Sequence, residues 1–336
     1  MEPRAQQDLD EYSGGSQAST PPYRFPASES ELWRAYLKEH GFVVVQDVLT
    51  AEQTGAAISM FWDYLEFTST GKDNVQKVSR SDWRTWTKFG VACSGLIGAQ
   101  ISQSAGAWYV RGQAALRKVF SQIWSTEDLL VSMDAVIIWK PWWRNSAWLP
   151  VTEGLHLDQN PFSKEGLCAV QGMVPLYDVT LDTGGLQVVP GSHSEEAQDA
   201  LRRQHAWWKG KGDWCPLEES SVGEAELVKA WAGDLILWDS RTVHGGKVGN
   251  GEGAGPVERA ACTEVASRLA RLSVPVCMQP RAWASPEVHQ QRKEAFQRGS
   301  ALSHWASELS GSGSHHCARN KNHQPIELTP EQRELL

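Results

Sequence analysis

Two short segments of the 336-residue chain carry the residue types that could do chemistry. They are Gly154-Leu155-His156-Leu157-Asp158-Gln159 and Trp238-Asp239-Ser240-Arg241-Thr242-Val243-His244-Gly245-Gly246. If His156 to Asp158 is extended, the two-residue period of a strand puts that imidazole and that carboxylate side by side on one face. A second imidazole, His244, arriving from a distant strand would complete two histidines and one carboxylate on three neighbouring coordination positions. Such a set suits Fe(II) and leaves the remaining positions to a chelating cosubstrate and oxygen.

A third group lies in Arg271-Leu272-Ser273, at the head of an apolar run through Met278. Arg271 and Ser273 fall on one face of a strand, where guanidinium and hydroxyl could hold one end of a dicarboxylate. Arginine suits that task because its planar fork meets a carboxylate bidentately. Arg268, on the opposite face, is the second choice, and Arg259, in a segment without strand character, the third. Gln159 and Gln171 are candidates to orient Asp158 or to hydrogen-bond the cosubstrate. His193, in Pro-Gly-Ser-His, reads as a turn residue, and Arg241 as a local structural support. His315, His316 and Cys317 sit in a Gly/Ser-rich stretch that reads as solvated.

The elements that must position these groups are mostly short. Residues 1–27 are rich in Ser, Gly, Gln and Pro and read as a disordered tail. Ser28 and Glu31 form a capping box for a helix ending near Gly41, and Phe42 to Val45 follows as a strand. Thr50 and Gln53 repeat the box before a helix whose Ile58, Phe61, Trp62 and Leu65 share a face. Leu116, Val119, Phe120 and Ile123 mark another helix, and Leu129 to Trp139 reads as one strand. From there, short apolar runs alternate with turns: Leu167 to Leu181, Leu186 to Val189, Leu235 to Trp238 and Leu272 to Met278. Regular short strands of this kind indicate an antiparallel sandwich or barrel. Gly233-Asp234 launches the strand that delivers His244, and the Gly245-Gly246 pair is read as making room at the metal. The interruptions are 195–226 and the glycine-rich 245–257, the latter read as mobile. After Trp283 the chain reads as helical, with Ser-Pro and Thr-Pro starts.

Composition sets the outer bounds. Apolar content of 41% and charge of 21% are ordinary for a globular protein. No apolar stretch is long enough for a membrane helix, and the first residues lack a signal core, so the expected compartment is cytoplasmic. A net charge of −8 argues against generic nucleic-acid affinity. The six cysteines (Cys93, Cys168, Cys215, Cys262, Cys277, Cys317) show no Cys-x-x-Cys spacing and read as free thiols. Seventeen tryptophans is a heavy load. Trp139, Trp142, Trp143 and Trp148, just upstream of His156, are placed as an aromatic wall of a substrate pocket.

His156 to Gln159, Gly184 to His193 and Gly233 to His244 together resemble the phytanoyl-CoA dioxygenase family of Fe(II)/2-oxoglutarate oxygenases, over roughly residues 30–283. The resemblance implies a mainly β fold with flanking helices around a double-stranded β-helix, a jelly-roll or cupin-like core. With the readings above, the chain divides into a tail (1–27), that domain with its N-terminal helices (28–283) and a helical C-terminal extension (284–336). It implies iron on His156, Asp158 and His244, and 2-oxoglutarate held at its distal carboxylate by Arg271, although the arginine lies further from His244 than in many relatives. The expected reaction consumes O2 and a small, partly apolar or aromatic substrate and releases succinate and CO2. Because Asp158 is a carboxylate rather than Gly or Ala, no position is vacated for halide, and hydroxylation is favoured over halogenation. The alternatives are a non-catalytic metal-binding sandwich and a cupin-like metal enzyme independent of 2-oxoglutarate.

Overall fold

The computed structural model describes residues 21–68, 78–89, 94–98, 100–251, 268–308 and 323–336. In chain order its elements are β1 (Arg24–Pro26), α1 (Ser30–His40), β2 (Phe42–Gln46), α2 (Ala51–Thr68), β3 (Leu96–Ile97), α3 (Ala105–Arg111), α4 (Ala114–Trp124), β4 (Leu129–Val131), β5 (Val136–Trp139), β6 (Leu155–Leu157), β7 (Val170–Pro175), β8 (Gly184–Val188), α5 (Glu195–Gln204), β9 (Cys215–Leu217), β10 (Glu226–Leu227), β11 (Leu235–Asp239), β12 (His244–Val248), β13 (Arg271–Pro275), β14 (Met278–Pro280), α6 (Pro286–Arg298) and α7 (Pro330–Leu335). Two sheets hold most of the strands. One runs β1-β2-β11-β7-β13-β5-β3 and the other β10-β8-β12-β6-β9, with β4 and β14 paired separately. All pairings except β1 with β2 are antiparallel.

Alternation along the strands sorts the side chains into layers. Phe42, Val44, Met173, Ile236 and Trp238 of the larger sheet meet Leu186 and Val188 of the smaller one in a shared interior. The opposite face of the larger sheet, with Val43, Val45, Val174, Leu235, Leu237, Leu272 and Val274, packs on Trp33, Phe61, Trp62, Trp108 and Phe120 of the helices. Behind the smaller sheet, Leu155 and Leu157 meet Leu201 and Trp208. The mainly β sandwich with flanking helices is as expected, and its sheets face each other without closing into a barrel.

Several local expectations are revised. Arg24 to Pro26, assigned to a tail, form an edge strand in register with Val44 to Gln46. What fixes it is Asp234, fully buried, which accepts from Arg24 Nε and Nη2 at 2.8 and 2.9 Å and from the backbone N–H groups of Asp47 and Trp231 at 3.0 and 2.9 Å. Residues 1–20 lie outside the described residues. Helix α1 starts at Ser30 after Glu29, without a side-chain cap, so the Ser28/Glu31 box does not form. The Thr50/Gln53 box does, with both reciprocal bonds, 2.9 and 3.2 Å. The run 129–139 is two strands in different sheets, β4 and β5, and the run 272–278 divides likewise into β13 and the start of β14. Gly245 and Gly246, within a segment read as mobile, lie inside β12. A Cβ on Gly245 would come within 2.3 Å of the Gly154 carbonyl, and one on Gly246 within 2.8 Å of Thr152. The pair therefore admits the neighbouring chain rather than a metal. Among the described residues no helix is long and apolar enough to cross a membrane.

Candidate metal centre

Strands β6 and β12 pair so that His244 stands directly opposite His156. Opposed residues of an antiparallel pair point to the same face, and here that face is the interior shared with Val188. The two rings lie 4.5 Å apart, centroid to centroid. Asp158, one residue past the end of β6, returns to the same side. Its Oδ1 lies 3.7 Å from His156 Nε2 and its Oδ2 3.3 Å from His244 Nε2. One donor atom from each of the three can be chosen so that all lie within 4.8 Å of one another.

The far side of each ring is already committed. His156 Nδ1 meets the Gly154 carbonyl at 3.0 Å, and His244 Nδ1 meets the Thr242 carbonyl at 2.9 Å. A carbonyl only accepts, so each Nδ1 carries the proton and each Nε2 presents its lone pair to the centre. Burial, joined by the neighbouring His244, pushes the His156 imidazole below its ordinary pKa. Burial works against ionising Asp158, yet its close contacts with His244 and His156 hold its carboxyl well below the usual range. An imidazole held below its ordinary pKa at His156 and a readily ionised carboxylate at Asp158 suit a divalent ion. The donor set fits Fe(II).

Gln171 comes from the facing sheet. It sits on the inner face of β7, and its amide donates to Asp158 Oδ2 at 3.1 Å. Gln159, a candidate for the same task, is used otherwise. Its Nε2 donates to the carbonyls of Lys164 and Gly166 at 3.2 and 2.7 Å, pinning the loop that follows the centre, and no bond to Asp158 is made.

Arg271 also points inward, because β13 pairs it with Trp139 of β5. The guanidinium lies 4.5 Å above the Trp139 ring, its Nε donates to Ser273 Oγ at 3.3 Å, and one terminal nitrogen reaches Met173 Sδ at 3.2 Å. It is 6% exposed and, among the described residues, has no carboxylate partner. Burial lowers its pKa to about 9. A guanidinium left without a counter-ion in such a place is a ready site for an anionic group. Arg268 is placed differently, stacked 4.8 Å over Tyr177. Arg259 lies outside the described residues, as do His315, His316 and Cys317.

The remaining candidates settle into structural positions. His193 Nε2 bonds the Lys38 carbonyl at 2.9 Å, in space left by Gly41, whose Cβ would meet the ring at 2.5 Å. Arg241 pairs with Asp239 and Glu195, each at 2.8 Å. The aromatic wall divides. Trp139, Trp142 and Trp143 run edge to face at 6.2 and 4.9 Å beside Arg271, whereas Trp148 also turns to Trp83 at 6.2 Å. Two other tryptophans flank the centre itself: Trp238, 5.3 Å from the His244 ring, and the half-exposed Trp214, 6.2 Å from that of His156. Trp238 was legible as an inward position of its strand, six residues before His244. Trp214 gave no such sign, because it comes from an insertion without periodicity. Cys168, Cys215 and Cys277 are free thiols.

Residues 134–250, which contain all three candidate ligands, match the family model of phytanoyl-CoA dioxygenase (PhyH). Over this segment the chain is similar to the phytanoyl-CoA dioxygenase family. Over 85% of this chain and 89% of the relative, the protein is 23% identical to "Ava biosynthesis cluster protein O" of Aspergillus versicolor. It is 21% identical to a Dictyostelium discoideum protein named "Putative phytanoyl-CoA dioxygenase", covering 62% and 68% of the two chains. Among solved structures, it is similar to the epimerase SnoN in complex with Fe3+, alpha ketoglutarate and nogalamycin RO, with 14% identity, 89% and 96% coverage and a TM-score of 0.49. The PhyH segment runs from just before β5 to just past β12, so Arg271 stands beyond it.

Proposed function

We propose that the protein is an Fe(II)/2-oxoglutarate-dependent dioxygenase that hydroxylates a small, partly apolar or aromatic organic molecule. In such a reaction O2 supplies one oxygen atom to the substrate and one to succinate, and 2-oxoglutarate loses CO2. The observation that carries this reading is a pairing across the sandwich. A three-donor centre on the smaller sheet faces a buried guanidinium on the larger one that has no carboxylate partner among the described residues.

Each residue then has a definite task. His156, Asp158 and His244 would hold the metal, with Gly154 and Thr242 fixing the ring orientations and Gln171 fixing the carboxylate. Arg271 would grip the distal carboxylate of 2-oxoglutarate, while Ser273 accepts from its Nε and keeps the fork aimed. Trp139 lies under the guanidinium and keeps that end of the cavity dry, which strengthens the ion pair. When bound, the iron with its cosubstrate supplies the oxidative chemistry; the chain supplies binding, orientation and exclusion of water.

Anaerobic addition of Fe(II) and 2-oxoglutarate tests the proposal through a visible metal-to-ligand charge-transfer band. The band is expected in the wild type and absent from Asp158→Ala and His244→Ala. A wild-type protein that binds Zn2+ tightly yet shows no such band on loading would instead be a non-catalytic or cosubstrate-independent metal protein.

A further inference from the structure

Of the three candidate ligands, Asp158 and His156 keep 22% and 12% of their side-chain surface exposed and His244 only 5%, so the centre opens past the first two. Trp214 stands on that side. It directly precedes β9, whose Cys215 pairs with Leu157 and whose Pro216 pairs with His156. Cys215 is buried behind the smaller sheet with Leu155 and Leu157. One step back along the chain, alternation turns Trp214 to the opposite face, which is the face of His156. Its ring lies 6.2 Å from the His156 imidazole at a tilt of 41°, and the residue is still 51% exposed.

The position is held from both directions. Asn160, fully buried in the loop after Asp158, donates to the carbonyls of Trp208, Lys211 and Gly212 at 3.0, 3.2 and 3.0 Å. Lys164 of the same loop pairs with Asp213 at 3.0 Å and with Glu308 at 3.1 Å, and sits 4.5 Å over the Trp305 ring. The chain before Trp214 is therefore tied to the loop that leaves the centre, and the pairing of β9 with β6 ties the chain after it. The charge of Asp213 is met by Lys164, so what this corner presents to the centre is a flat, neutral ring. An indole fixed on both sides yet left half in water beside the centre is a surface prepared for an apolar partner.

We propose that Trp214 is a specificity-determining residue, whose indole forms a wall of the substrate site beside His156 and stacks against a planar aromatic ring of the substrate. This deepens the reading of the centre given above and rests on it. The probes are 2-naphthol and its saturated counterpart, decahydro-2-naphthol, which have nearly the same size. Isothermal titration calorimetry on the anaerobic protein loaded with Fe(II) and 2-oxoglutarate gives both affinities. Wild type and Trp214→Phe should prefer the aromatic probe. Trp214→Leu, which keeps apolar bulk without a ring, and Trp214→Ala should lose about 2- to 13-fold of that preference, the value of one aromatic pair. All four proteins should keep the charge-transfer band. In a second measurement Mn2+ replaces Fe(II), and it should broaden the proton resonances of bound 2-naphthol far more than Zn2+ does, because the ring against Trp214 lies beside the metal. A preference unchanged in both ring-less variants, a wild type that binds neither probe or shows no preference, or binding without that broadening on Mn2+-loaded protein would overturn the proposal. A wild type without the charge-transfer band would sink the 2-oxoglutarate reading instead, and the same comparison of affinities on metal-free protein would still decide Trp214.

Discussion

At the scale of single residues, the centre is an assembly of groups that are costly to bury and are compensated by one another. Arg271 is the exception. Its burial without a carboxylate partner among the described residues should cost stability in the ligand-free protein. Arg271→Met is therefore expected to raise the thermal midpoint of the apo-protein while the 2-oxoglutarate requirement rises about 10- to 100-fold, the loss of a charge-assisted hydrogen bond of about 1.5–3 kcal/mol. Differential scanning calorimetry with a cosubstrate titration checks both halves. An unchanged requirement would move the anion site elsewhere. His156 adds a pH dependence. Burial, with His244, lowers its folded pKa, so as pH falls below about 6.5 the unfolded chain takes up a proton that the folded protein resists. Its contribution is present above that pH and lost as pH falls through the folded value. Urea midpoints at pH 7.5 and 5 should thus fall further for wild type than for His156→Gln. Sequence alone made His156, Asp158, His244 and Arg271 legible because a strand's period and a donor's chemistry are local properties. Trp214 was not, since it comes from an insertion without periodicity and meets the His156 ring only in the folded chain.

At the scale of elements, the positions of the ligands are set by pairing, and pairing depends on a few buried polar anchors. Asp234 is the clearest. One carboxylate joins β1 through Arg24, the turn after β2 through Asp47, and the turn before β11 through Trp231. Asp234→Ala removes a buried partner, leaves two backbone N–H groups unpaired and leaves the Arg24 guanidinium only its longer contact to Asp47 at 3.7 Å, which should cost about 3–5 kcal/mol. β11 leads directly to His244, so the variant should also retain less metal after dialysis at a temperature where it is still folded. A melting point within a degree or two of wild type would show that the anchor is dispensable. The Gly233-Asp234 turn was readable as the start of a strand, but not as the lock on an edge strand 210 positions away. The misreadings have a common cause. Apolar runs such as 129–139 and 272–278 record burial, not direction, and both hide a bend that moves the chain from one sheet to another. Ser28 and Glu31 have the types of a capping box, but the β1 turn starts the helix two residues later.

At the scale of the whole molecule, the C-terminal extension works as a wall of the helical layer rather than as an appendage. Arg292, fully buried, donates to the carbonyls of Val131, Ala306, Leu335 and Leu336 at 2.7 to 3.1 Å, tying α6 and α7 to β4. Gln332 closes on the Trp108 carbonyl at 2.9 Å, and Ala295, Phe296, Leu328 and Leu335 belong to the same apolar cluster as α2, α3 and α4. Burying Phe296, Leu328 and Leu335 is worth about 1.5–3 kcal/mol each. Their sum is comparable with the 5–15 kcal/mol of net stability typical of a folded domain. A chain ended at Ala284 also leaves the Trp108 and Val131 carbonyls and the apolar faces of α3 and α4 uncovered. That truncation should accordingly lose its cooperative thermal transition in circular dichroism, even though the truncated chain retains every residue matched by the family model and all three candidate ligands. A truncated protein that still melted cooperatively, within a few degrees of the full chain and with Fe(II) bound, would mean that the sandwich is self-sufficient. The bonds of Arg292 would then be the consequence of a docked tail rather than part of what holds the centre in place.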